Sequence, residues 1–110
     1  MAKPGRLPEH YEWLVENYPR VGKAYETLGK AVHKAGPLDD RTRALIKLGI
    51  SVGARAEGAV HAHVRKARDA GATDEEILHA VLLAMPTIGL PATTAALSWV
   101  RDIVGRKGRK

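Results

Sequence analysis

The stretch R-A-E-G-A-V-H-A-H-V-R-K-A, Arg55 to Ala67, carries two of the chain's five histidines among small and apolar residues. Imidazole exchanges a proton near neutral pH and is the commonest protein metal ligand. On a helix turning about 100° per residue, Ala56, Ala59, Val60, Ala67 and Ala70 fall within about 60° of His63. His63 therefore belongs to an apolar, small-residue face. Alanines there leave room for a ligand, and partial burial keeps the ring neutral. The pattern fits a general acid or base in a small pocket walled by Ala56, Ala59 and Val60. A core imidazole satisfied by a backbone carbonyl is the plainer alternative.

His61 points about 160° away from His63, on a charged stripe with Glu57, Arg65 and Arg68, facing solvent or a partner subunit. Glu57 and His61 are spaced i,i+4 and could chelate one ion. His79 lies on the next helix, so Glu57, His61 and His79 form a possible metal set at a subunit interface. His61 and His63 cannot share an ion from one regular helix, because they point in opposite directions. His10 and His33 lie in more exposed settings and carry no such pattern.

The chain has no cysteine. Disulfides, thiolate metal ligands and thiol redox chemistry are excluded together. Its length of 110 residues predicts one domain with a modest core. The net charge of +6 raises the question of nucleic acid. However, five basic residues after position 100 (Arg101, Arg106, Lys107, Arg109, Lys110) stand against one acid, Asp102. The excess is thus concentrated in a short tail, residues 105–110, without a recognition motif, and nucleic acid is not an expected partner. No apolar run approaches the roughly 20 residues of a membrane span. The N-terminal M-A-K-P-G-R-L-P has no apolar segment after its charges, so the chain reads as soluble and cytoplasmic.

Punctuation divides the chain into about six helices, with no strand pattern. Pro8 and Pro19 bound a first helix, Glu9 to Tyr18. Val21 to Lys34 forms a second, with Val21, Tyr25, Leu28 and Val32 on one stripe. Asp39 or Asp40 caps a third that runs to about Ala54. Its Gly49 and Gly53 predict the close approach of a neighbouring helix. The histidine stretch supplies a fourth helix from Arg55 to about Ala70, stopped by Gly71. Thr73-Asp-Glu-Glu76 is a capping box for a fifth. That helix is apolar on nearly every side from Ile77 to Met85 until Pro86 ends it, and such a helix needs cover on all faces. A subunit interface in a homo-oligomer would supply that cover. Pro91 opens a sixth helix whose predicted buried stripe is Leu97, Val100, Ile103 and Val104.

From Asp40 to Ser98 the chain resembles the carboxymuconolactone decarboxylase and alkylhydroperoxidase family. The resemblance rests on L-I-K-L-G-I-S-V-G-A-R, A-H-V-R-K-A, D-A-G-A-T-D-E-E-I and G-L-P-A-T-T-A-A-L. It implies an all-α, alkylhydroperoxidase-like fold, a single domain over residues 1–110 with its family-like core at about 40–98, and assembly as a trimer or hexamer. The peroxidase branch carries C-x-x-C-x-x-x-H and an upstream glutamate. Here Ala56, Ala59 and Ala44 occupy the cysteine and glutamate positions, and only the histidine, His63, is present. Thiol peroxidase chemistry cannot run without a thiolate.

The decarboxylase branch also lacks the cysteine pair and has a similar L-H-V-R-A-A segment. The resemblance therefore implies cofactor-free proton chemistry (decarboxylation, isomerisation or lactone chemistry) on a small anionic organic molecule. Arg55 and Lys47 are then the cationic candidates for its carboxylate, Arg55 first because guanidinium binds carboxylate bidentately. Two other readings stand beside this enzyme: the histidine-based metal-binding protein above, and a non-catalytic oligomer that binds a small ligand or partner.

Overall fold

Helix is the only regular structure among the described residues. The computed structural model of the protein describes residues 9–105. The N-terminal octapeptide and the basic tail after Gly105 lie outside the described residues. The order is α1 (Glu9–Asn17), α2 (Pro19–His33), α3 (Asp40–Gly53), α4 (Glu57–Asp69), α5 (Asp74–Leu82), α6 (Met85–Ile88) and α7 (Leu90–Val104). Six of these have nine residues or more, matching the six read from the punctuation; α6 is an added four-residue turn. No helix among the described residues is long and apolar enough to cross a membrane.

The chain divides into two units at Pro37. The first contains α1 and α2. The second helix begins at Pro19 rather than Val21, because a first-turn proline gives up only an N–H that has no intrahelical partner. Gly22 is buried, and a Cβ there would meet Val15 Cγ2 at 3.0 Å, so glycine allows α2 to close on α1. The Tyr11 and Tyr25 rings meet edge to face at 5.9 Å. The stripe Val21, Tyr25, Leu28 and Val32 is exposed, each residue by half or more.

The second unit holds α3 to α7 around one core. Leu48 and Val52 of α3, Val60, Val64 and Ala67 of α4, Ile77 and Val81 of α5, and Ala96 and Val100 of α7 are buried. Each fully buried valine, leucine or isoleucine here stabilises by about 1.5–3 kcal/mol relative to exposure. The helix starts follow their caps. Asp39 accepts the Thr42 N–H at 2.8 Å. Thr73 and Glu76 form both arms of the capping box, at 3.1 and 2.9 Å. Glu76 also takes Arg41 Nη1 at 2.9 Å, tying α3 to α5.

Three expectations change here. The fifth helix stops at Leu82, before Met85, because Pro86 lacks the N–H that would bond back to Leu82; the proline instead sits in the first turn of α6. Ile77 and Val81 are buried while Leu82 and Leu83 are exposed, so the second unit covers α5 on one side. In α7 the inner positions are Thr93, Ala96, Val100 and Val104, whereas Leu97 and Ile103 are only partly buried. Buried Thr93 is satisfied by donating to the Gly89 carbonyl at 2.8 Å. Finally, a Cβ at Gly49 or Gly53 would meet nothing within 4 Å, so no helix among the described residues approaches them.

Two measurements test the caps. Thr73→Ala removes the Glu76 N–H acceptor and lowers unfolding stability by about 1 kcal/mol, read as a lower urea midpoint at unchanged slope. The Thr42 backbone N–H, with the Thr42 side chain second, holds the Asp39 carboxyl below its ordinary value of 3.8. A depressed carboxyl stabilises the fold above its unfolded value, and that contribution fades as pH falls through the folded value. Asp39→Asn should therefore flatten the acid limb of stability below about pH 4; an unchanged limb refutes the cap's role.

Candidate functional site

The site is organised by the turn between α3 and α4. Arg55 donates its N–H to Val52 O at 3.0 Å and Ala56 donates to Ser51 O at 3.2 Å. This paired pattern is a Schellman motif, whose C′ residue adopts the left-handed conformation. The same motif ends α4, where Gly71 (φ +96°) donates to Arg68 O and Ala72 to Ala67 O. The second turn uses glycine; the first forces an arginine to φ +56°. A left-handed residue with a Cβ costs about 1–2 kcal/mol. Arg55 is thus not the first residue of the fourth helix, which starts at Glu57. Its side chain is exposed at the edge of the turn.

His63 sits on the second turn of α4, half-buried. Its Nδ1 is shielded from solvent and has no hydrogen-bond partner among the described residues. Burial first, then the charges of Lys66 and Lys47, push the ring below the ordinary imidazole value, so it is neutral at pH 7. Lys47, on α3, is itself pushed down by burial, then by Lys66 and Arg43. Two cationic side chains, Lys66 and Lys47, therefore act on one neutral imidazole, while Arg43, which acts on Lys47, is paired with Asp40. Lys47 thus acts on His63 through its charge, and Lys66 does so more strongly. Sequence reasoning passed over Lys66, although its i,i+3 spacing from His63 was there to read. Arg55 contributes no resolved charge effect on the ring. Of the walls read from sequence, Ala56 and Ala59 are half-buried, whereas Val60 is fully buried in the core.

His61 corrects a sequence expectation. It is not turned to open solvent but half-buried between α4 and α7, with Nε2 2.9 Å from Asp102 Oδ2. Glu57, His61 and Asp102 present ligand atoms within 4.8 Å of one another. His79, the expected third ligand, is not among them. It lines a separate groove of about 620 Å³ between α3, α5 and α6, with Leu45, Ile46, Gly49, Ala80 and Leu83. The open space over Gly49 and Gly53 is part of this groove. Asp102 was missed because its only sequence signature is a lone acid before a basic tail.

The chain belongs to the carboxymuconolactone decarboxylase family, whose model matches residues 19–102. It is 39% identical over 54 residues to an uncharacterized protein of Haemophilus influenzae, covering 49% of this chain and 48% of that one. It is also 34% identical over 64 residues to "Uncharacterized protein 4 in cox locus" of Paracoccus denitrificans, covering 58% of each. The chain thus spans about half the length of the curated relatives it matches.

The strained turn gives a direct test. Arg55→Gly removes the left-handed penalty and restores part of it as unfolded-state freedom, for a net gain of about 0.5–1 kcal/mol in unfolding stability. A loss of stability in urea would mean that the Arg55 side chain, rather than the backbone motif, holds the turn.

Proposed function

We propose that the protein is a carboxymuconolactone decarboxylase-like enzyme that moves a proton on a small organic acid or lactone, with His63 as the transferring group and no thiol chemistry. The observation that carries this reading is the shielded Nδ1 of His63, which has no hydrogen-bond partner among the described residues. A buried polar nitrogen without a partner costs about 1–3 kcal/mol, and a substrate hydrogen bond would relieve it. The neighbouring ammonium groups of Lys47 and Lys66 favour an anionic substrate, since a carboxylate there relieves their mutual repulsion. Loss of carbon dioxide or of a proton from such a substrate leaves negative charge, which those cations stabilise while imidazole carries the proton. Family membership supports this class of chemistry. The absence of any cysteine removes peroxide reduction by thiols.

Self-association is part of the proposal. Ile46, Ile50, Leu82, Leu83 and Leu90 are exposed on the second unit, with Ile50 at 66%. Of these, Ile46 and Leu83 line the same groove, and exposed apolar side chains that adjoin mark interaction sites. The mass measured by light scattering should exceed that of one chain, and Ile50→Glu with Leu83→Glu should reduce it; a monomeric wild type refutes this part.

The catalytic reading is tested by a thermal-shift panel of lactones and small carboxylic acids, followed by turnover of every stabilising compound. His63→Ala should abolish turnover, by about 100-fold or more, with helicity and assembly mass unchanged. Lys47→Gln should raise KM about tenfold. A compound that is bound and never converted would replace the enzyme with a ligand-binding protein. Full turnover in His63→Ala would end the role of the imidazole.

A further inference from the structure

We propose that Glu57, His61 and Asp102 form a binding site for a first-row divalent cation that links α4 to α7. The donors are one imidazole nitrogen and two carboxylate oxygens, all within 4.8 Å of one another. Glu57 and His61 are one turn apart, so α4 presents both on one face. Asp102 reaches them from α7, 41 residues further along the chain. The 2.9 Å between His61 Nε2 and Asp102 Oδ2 is close to one edge of a coordination shell with bonds of about 2.0–2.2 Å. Two of the three ligands are thus already set at ligand-to-ligand spacing. The third, Glu57, is exposed and has no hydrogen-bond or ion-pair partner among the described residues, so it can rotate inward by the remaining distance.

Charge favours a dication here. Two carboxylates held this near one another repel, and a ligating imidazole is neutral and offsets neither. A divalent ion neutralises both. One nitrogen with two oxygens suits a borderline ion such as Zn²⁺, Fe²⁺ or Mn²⁺ better than Mg²⁺, which prefers an all-oxygen shell. Three protein ligands leave a position open to water. The site is distinct from that of His63: the two imidazoles leave α4 on opposite sides, and neither role requires the other.

The test is calorimetric titration of Zn²⁺ alone into the tag-free full chain after dialysis against a chelator. One equivalent per chain should bind, and the thermal midpoint should rise with it. Asp102→Asn and Glu57→Gln should each weaken binding at least about tenfold. His79→Gln and His63→Ala should leave it unchanged. Because Glu57 is exposed and bonded to no described residue, its variant reports on the ion even if Asp102→Asn loosens α7 on α4. Mg²⁺ should compete poorly. The proposal is overturned by an absence of saturable binding, by full affinity in the Glu57 variant, by loss of binding in His79→Gln, or by Mg²⁺ binding as tightly as Zn²⁺.

Discussion

Leu48 and Val52 of α3 share one dry core with Val60, Val64 and Ala67 of α4, and α4 cannot rotate without exposing that stripe. This fixed rotation places two histidines in opposite environments on the same helix. Spaced two apart, they must diverge, so one faces α3 with its cations and the other faces α7 with Asp102. Burying Val60, Val64 and Ala67 therefore decides the chemistry of both rings. A slip of α4 by one residue would move the core stripe by about 100° and undo both arrangements at once.

The same seam explains why the α3–α4 turn tolerates strain. Its Schellman bonds satisfy carbonyls at the end of α3 that would otherwise be orphaned beside the core. A glycine at position 55 would make those bonds at lower conformational cost, as Gly71 does at the end of α4. Strain of this kind is retained where the surrounding packing over-determines the backbone, and the buried residues on either side of the turn, Val52 and Val60, do so here.

Much of this was legible because helix punctuation and facing are local properties. The caps at Asp39 and Thr73, the stop at Gly71 and the inward face of His63 with its alanines follow from spacing alone. The failures are tertiary. Asp102 could not be matched to His61 without knowing that α7 lies against α4. The end of α5 is hidden from a sequence reading because an apolar run conceals the point at which a proline four residues on withdraws a hydrogen bond. A sequence reading takes Arg55 into the helix because side-chain type gives no warning of a left-handed arginine. Gly49 and Gly53 do signal an unusual surface, but they leave a groove open where spacing suggested a helix.

The positions that carry sulfur and carboxylate in the peroxidase branch show what remains chemically possible. Ala44 is buried in the core, and Ala56 and Ala59 are half-buried near the start of α4. Alanine brings neither an electron pair for sulfur chemistry nor a charge to shift a neighbour's proton affinity. With those groups gone, the field at His63 is set by burial and by lysines. Such a field favours the neutral ring and attracts anions. An imidazole in that state is held in its base form, a weaker base than free imidazole but available to a bound acid. The chain thus carries a residue suited to proton transfer and no thiol for electron transfer, which is why the proposed acid–base chemistry on an anion is one that the side chains present can perform.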